Sequence, residues 1–141
     1  PLAYGVVDID KFKTINDTWG HSFGDIVIKR LSLTLAPHIG ENDLLSRFGG
    51  EEFVVVFWNC TLEQGLQKMD AMRKTFTEIP FEVVRGDIRH FSFSGGVAAY
   101  PEYKSESELF LRADAMLYQA KQSGRNRICA IDAAGHVPPA H

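Results

Sequence analysis

The chain has 141 residues, 45% of them hydrophobic, and a formal net charge of -3 at pH 7. That length buries one core without disulfides or a structural metal, and the interspersed charges supply no basic stripe for DNA or RNA. Cys60 and Cys129 are too few for a disulfide framework and lack zinc-site spacing, which fits buried thiols in a reducing, cytoplasmic setting, and no apolar run reaches the roughly 18 residues of a membrane span, so no direct membrane contact is expected.

Leu2 to Ile9 reads as a central strand, apolar nearly throughout, with Asp8 at its carboxyl end and Asp10 just beyond. Asp8 and Asp10 point the same way in an extended chain, so one of them suffices for a site. Because the chain starts inside a strand pattern, an upstream segment is expected. Phe12 to Thr18 predicts a short helix broken at Gly20, and Ile26, Val27, Leu31 and Leu35 mark a stripe on a longer one that stops before Ile39-Gly40.

Leu44 to Phe48 and Phe53 to Phe57 predict a hairpin across Gly49-Gly50, the residues a tight two-residue turn would use. Thr61 with Gln64 is a capping-box pattern, followed by Leu62, Leu66, Met69, Arg73 and Phe76 at helical spacing, with the Arg73 stem laid along the stripe. Phe81 to Val84 predicts a short strand and His90 to Ala99 a longer one. Ser105 with Glu108 repeats the cap, Leu109, Ala113, Met116, Leu117 and Ala120 follow, and Ser123-Gly124 ends that helix. Arg127 to Ile131 is the last predicted strand, and residues 133–141 are expected to form a flexible tail after a domain spanning 1–132. This order implies an α/β sandwich, helices covering an antiparallel or mixed sheet.

Glu51 and Glu52 place two like charges on the turn, which raise each other's pKa unless a cation sits between them. With the hairpin beside the first strand, Asp8 approaches Glu51. Asp8, Glu51, Glu52 and the Ile9 carbonyl could then hold one or two Mg²⁺ ions, Mn²⁺ being equally acceptable to such oxygens, with a phosphate chain as cargo. The glycine-punctuated stretch Asp17 to Asp25 reads as a turn feeding a helix, where free N–H groups favour phosphate. Lys13 is placed to neutralise a β- or γ-phosphate, and Lys121 with Arg125 to reach the same oxygens from the other end. Asn16 and Asp25 suit a purine edge, guanine best for the carboxylate, although spacing alone leaves adenine open; the competing readings are a cap for Asn16 and a helix-start carboxylate for Asp25. His21 is expected to orient the turn through a backbone hydrogen bond.

Several of these segments occur together in one family. Asp8-Ile9-Asp10-Lys11-Phe12-Lys13, Asn16-Asp17, Gly20-His21, Gly24-Asp25, Arg47 with Gly49 to Phe53, Ser94 to Val97, Arg112 to Tyr118, and Ala120-Lys121 through Gly124-Arg125-Asn126-Arg127 follow in order. Over about residues 4 to 131 the chain resembles the GGDEF (diguanylate cyclase) domain in its GGEEF form. The resemblance implies a nucleotidyl-cyclase-like palm fold, with a central, mostly antiparallel sheet covered by helices. It also implies condensation of two GTP into cyclic di-GMP and two pyrophosphates between two copies of the domain, under an upstream sensor or regulatory domain in bacterial signalling.

Carried over by the resemblance, Asp8, the Ile9 carbonyl and Glu51 are metal ligands, and Glu52 is a second metal contact that helps deprotonate the 3′-hydroxyl. Asn16 and Asp25 read guanine. Lys121, Arg125, Lys13 and the N–H groups of Phe12 and Lys13 hold phosphates. Two departures stand out. The family's Arg-x-x-Asp product-inhibition pair falls on Gly40 and Asp43, so that site is expected to be absent, and the family's leading helical segment has no counterpart before Pro1. The alternatives are a catalytically silent GTP-binding or interaction module, and a nucleotide-binding fold with polymerase or purine-cyclase chemistry.

Overall fold

The computed structural model describes residues 1–130; the end of the expected last strand and the expected tail over 133–141 lie outside them. Among the described residues seven strands and four helices follow in the order β1 (Leu2–Ile9), α1 (Phe12–Trp19), α2 (His21–Leu35), β2 (Leu44–Arg47), β3 (Glu52–Trp58), α3 (Leu62–Thr77), β4 (Phe81–Val84), β5 (Asp87–Arg89), β6 (Phe93–Tyr100), α4 (Glu106–Gln122) and β7 (Ile128–Ala130), with a 3-10 turn at Ala36–His38. Five strands form one sheet in the order β2-β3-β1-β6-β7, antiparallel except for the β6-β7 pair, while β4 and β5 pair separately as a hairpin. This is the mostly antiparallel, helix-covered palm-like sheet that the family resemblance implied, and it fits the α/β sandwich with an antiparallel or mixed sheet read from the element order.

The continuous apolar run of β1 is explained by its position, since a central strand has both faces covered. Ala3, Val7 and Ile9 face a core built with Val27, Leu31, Met69 and Phe76 of α2 and α3. Tyr4 and Val6 face a second core with Leu109, Ala113 and Leu117 of α4. The two-residue period of the strand therefore carries Asp8 and Asp10 onto the α4 side. α4 lies close against β6, where a Cβ on Gly96 would meet the Ala113 carbonyl oxygen at 1.9 Å, so only glycine permits the approach that brings the end of α4 to the end of β1.

Several local expectations change. Val27, Leu31 and Leu35 are fully buried, but Ile26 is 56% exposed, because the 100° step between neighbours on a helix turns it away from the stripe. The expected strand over His90 to Ala99 begins only at Phe93; Phe91 leaves the strand direction to stack edge-on against Trp19 and Phe23, at 5.7 and 6.1 Å between ring centroids. Both capping-box bonds of Thr61 and Gln64 form, whereas at Ser105 the side chain accepts from the Glu108 N–H without the full reciprocal box. The Arg73 side chain is mostly covered, and its Nε donates to Asp70 at 2.8 Å. No helix among the described residues is long and apolar enough to cross a membrane.

Candidate active site

At the carboxyl end of β1 the register sets Asp8 opposite Glu52 on β3 and opposite Ser94 on β6. Glu52, rather than Glu51, is thus the cross-strand neighbour of Asp8. Glu51 sits one residue beyond and accepts the Ile9 N–H through its carbonyl at 3.4 Å. The turn that carries them is longer than a two-residue hairpin: Phe48 N–H donates to the Glu52 carbonyl at 2.9 Å, leaving Gly49, Gly50 and Glu51 as a three-residue loop, with Gly49 at φ 78°. Arg47 fastens this loop by donating from both Nε and Nη2 to the Gly50 carbonyl, at 3.0 and 2.8 Å.

Asp8 is buried, and one of its oxygens, Oδ2, pairs with the ammonium of Lys121 from the last turn of α4. Its other oxygen, Oδ1, is buried with no hydrogen-bond partner. Burial raises the Asp8 pKa, opposed by the Lys121 hydrogen bond and charge and assisted by the nearby Glu51 and Asp10 carboxylates. Glu52 is raised too, first by desolvation and then by Asp8 and Glu51. A crowded set of hard oxygen donors with an orphaned buried oxygen fits a divalent cation. Among the described residues no group of three or more His, Cys, Asp or Glu converges closely enough to hold a metal ion by itself, and Lys121 is the cation that faces Asp8.

Asp10, which the sequence left outside the site, is buried and fully engaged. Its carboxylate accepts from Ser92 Oγ at 2.7 Å, Ser94 Oγ at 2.6 Å and the Asn126 N–H at 3.0 Å. The expected glycine-rich turn over Asp17 to Asp25 is instead two helices meeting at Gly20. His21 is exposed at the start of α2, and its ring makes no hydrogen bond among the described residues; the chain is redirected by Gly20, at φ 93°.

Asn16 lies inside α1, not at a cap. Its Oδ1 is buried and unpartnered, against Gly24 of α2, where a Cβ would come within 1.9 Å of it. Asp25, the next residue, is exposed within α2 and borders a shallow cavity of about 400 Å³ with Lys29, Arg47 and Phe53. The cavity therefore runs from Asp25 to the arginine that clamps the Gly49-Gly50 loop. Lys11 precedes α1 in the left-handed region, at φ 54°, and turns the chain sharply from β1 into the helix carrying Phe12, Lys13 and Asn16. Phe12 is part-buried, and Lys13 reaches outward to Asp17 at 3.1 Å, both side chains well exposed. Arg125 is exposed in the loop after α4, also left-handed at φ 62°.

The Arg-x-x-Asp positions are closed on themselves. Asp43 Oδ2 accepts the Gly40 N–H and Oδ1 the Trp58 N–H, both at 2.8 Å.

The sheet and its carboxylate-bearing end define a cyclase-type palm domain. Residues 2–127 match the family described as "Diguanylate cyclase, GGDEF domain", and the chain belongs to that family. It is 43% identical over 124 residues to the uncharacterized protein YhcK of Bacillus subtilis, covering 87% of this chain and 34% of that protein. It is 39% identical over 127 residues to the diguanylate cyclase DgcP of Pseudomonas aeruginosa, covering 90% of this chain and 19% of that protein. The active GGEEF domain of a diguanylate cyclase from Vibrio cholerae superimposes with a TM-score of 0.84 at 34% identity, over 92% of this chain and 81% of that one. The chain thus spans about a third or less of these curated relatives' length.

Proposed function

We propose that this domain is the catalytic unit of a diguanylate cyclase, joining two GTP into cyclic di-GMP with release of two pyrophosphates where two copies meet. The observation that carries this reading is the carboxylate set of Asp8, Glu51 and Glu52 at one sheet end, with an unpartnered buried oxygen on Asp8 and raised pKa values on Asp8 and Glu52. Family membership supports the same class of activity.

In each of two steps a 3′-hydroxyl oxygen attacks the α-phosphorus of the other GTP, the bond to pyrophosphate breaks, and the hydroxyl proton leaves to a base. Mg²⁺ or Mn²⁺, when bound, supplies charge neutralisation on the phosphate chain and acidification of the hydroxyl. Asp8, the Ile9 carbonyl and Glu51 are the residues that would hold it, with Glu52 as a further contact. Glu52, whose proton affinity is raised by burial and by its two acidic neighbours, receives the hydroxyl proton. Asn16 Oδ1 and the Asp25 carboxylate accept from the N–H groups of guanine, a pairing suited to an orphaned acceptor beside an exposed carboxylate. Lys121, which faces the same sheet end from α4, would join Arg125, Lys13 and the N–H groups of Phe12 and Lys13 on the phosphates.

Each copy supplies one nucleotide, so the second partner is another molecule of the same domain, brought in by a regulatory segment of the longer protein. The two free cysteines fit a cytoplasmic setting. The test is product analysis after incubation with GTP and Mg²⁺ over a wide range of protein concentration. Cyclic di-GMP formed at a rate per molecule that rises with concentration supports a cyclase needing two copies. Metal-dependent GTP binding with no product at any concentration would mark a silent GTP-binding module instead.

A further inference from the structure

The loop between α4 and β7 has an unusual backbone. Gly124, Arg125 and Asn126 lie at φ 123°, 62° and 48°, three successive residues in conformations that L side chains rarely adopt. Such a run persists only where its surroundings hold it. Two anchors do so. The Asn126 N–H donates to Asp10 Oδ2 at 3.0 Å, tying the loop to the end of β1, and Asn126 Oδ1 accepts from Arg73 Nη1 at 2.8 Å, tying it to α3.

Arg73 is itself fixed. Its Nε donates at 2.8 Å to Asp70, which is buried in α3, and Lys74 lies 3.4 Å from the other Asp70 oxygen. Asp10 is fixed by Ser92 and Ser94. The loop is therefore clamped between two rigid elements by one asparagine, whose amide side chain faces α3 and whose main chain faces β1. Arg125 is the residue between the clamp and Gly124, and Lys121 lies just upstream on α4.

We infer that Arg73 and Asn126 are positioning residues for the phosphate-binding arm: the Asp70-Arg73-Asn126-Asp10 chain of hydrogen bonds holds the left-handed loop that aims Arg125 at the triphosphate. This rests on the reading that the site binds GTP. The side chains of Arg73 and Asn126 are engaged with each other and with Asp70, so their action on a nucleotide would run through Arg125. Arg73 suits the task because its planar fork satisfies two acceptors in fixed directions, which a lysine could not do. Asn126 suits it because asparagine, like aspartate, enters the left-handed region more readily than longer side chains that carry an acceptor.

Asn126→Gly keeps the backbone conformation accessible and deletes the acceptor; Asn126→Asp keeps both. The affinities of α,β-methylene GTP and of GMP are measured by calorimetry in Mg²⁺, with thermal melting of each variant alongside. Asn126→Gly is expected to lose at least fivefold in affinity for the triphosphate analogue and to stay within twofold for GMP, which lacks the β- and γ-phosphates. Asn126→Asp is expected to stay within twofold for both. Arg73→Met should reproduce the triphosphate-specific loss, and the double variant Arg73→Met/Asn126→Gly should lose no more than either single one, as members of one chain of contacts do.

Equal losses for the two ligands, no loss in Asn126→Gly, no rescue by Asn126→Asp, or additive losses in the double variant would each overturn the inference while leaving GTP binding standing. A parent protein that binds the triphosphate analogue no better than GMP would overturn the GTP reading itself, and the positioning role with it.

Discussion

Lys121 of α4 forms an ion pair with Asp8 of β1, 113 residues away along the chain, on the carboxylate proposed above as a ligand for a divalent cation. The pair stabilises a buried carboxylate, and a cation bound there must displace or share it. Lys121→Met removes the ammonium and leaves Asp8 uncompensated, which should cost about 1–2 kcal/mol of stability in EDTA, below the value for a fully buried pair because Lys121 is partly exposed. Mg²⁺ should then raise the melting temperature of the variant more than that of the parent, since the cation replaces the lost charge. Equal Mg²⁺ responses would show that lysine and metal do not compete for Asp8.

Glu52 gives a pH prediction. Its folded-state pKa lies above the ordinary carboxylate value because of burial and of the Asp8 and Glu51 charges. The folded state then holds the proton more tightly than the unfolded chain, so folding is favoured by this group at low pH, and the advantage is lost as pH rises from the ordinary value through the raised one. Glu52→Gln mimics the protonated form. It should stabilise the fold at pH 7 by about 1 kcal/mol or less, allowing for solvent screening, with the gain shrinking toward pH 4, while cyclic di-GMP production falls steeply. Thermal melts of both proteins across that range check the sign; a gain that grows toward acid would contradict the cause assigned to the shift.

The parts of this fold that sequence makes visible are those with local causes. β1 is legible because a central strand needs apolar residues on both faces, and Thr61 with Gln64 because both bonds of the box lie within four residues. The shared face of Asp8 and Asp10 follows from the strand period alone. β4 is legible over Phe81 to Val84, but β5 and its pairing are not, because Asp87 to Arg89 is too short to show alternation; Gly86, at φ 84°, marks the turn between them. Nor could sequence assign Asp10 to the Ser92, Ser94 and Asn126 cluster, whose members lie more than eighty residues from it. Contacts made through the tertiary fold leave no spacing to read.

Asn16 and Asp25 are expected to separate nucleotide binding from metal binding. Asn16 Oδ1 is buried without a partner, so Asn16→Ala relieves an unsatisfied acceptor and should change stability little, yet should weaken GTP binding by about 1–2 kcal/mol if that oxygen accepts from guanine. Asp25→Ala should likewise weaken GTP binding more than it weakens Mg²⁺ binding. Calorimetry with GTP and ATP, and Mg²⁺ titration monitored by thermal shift, distinguish the outcomes. Equal affinity of the parent for GTP and ATP would remove guanine from the assignment, and a larger effect of Asp25→Ala on Mg²⁺ would remove Asp25.

Asp43 bears on regulation. Both its oxygens accept main-chain N–H groups, from Gly40 and Trp58, and Gly40 supplies no guanidinium to recruit a product phosphate or guanine. The carboxylate is thus committed to holding the approach to β2 against the end of β3. Cyclic di-GMP added in large excess should leave the initial rate of turnover within twofold of its starting value. Asp43→Ala should cost about 1–2 kcal/mol through two main-chain donors left without their charged acceptor, and should leave the response to product unchanged. A rate that falls tenfold or more with added cyclic di-GMP in the parent, and recovers in Asp43→Ala, would show that this carboxylate exchanges its main-chain partners for the product after all.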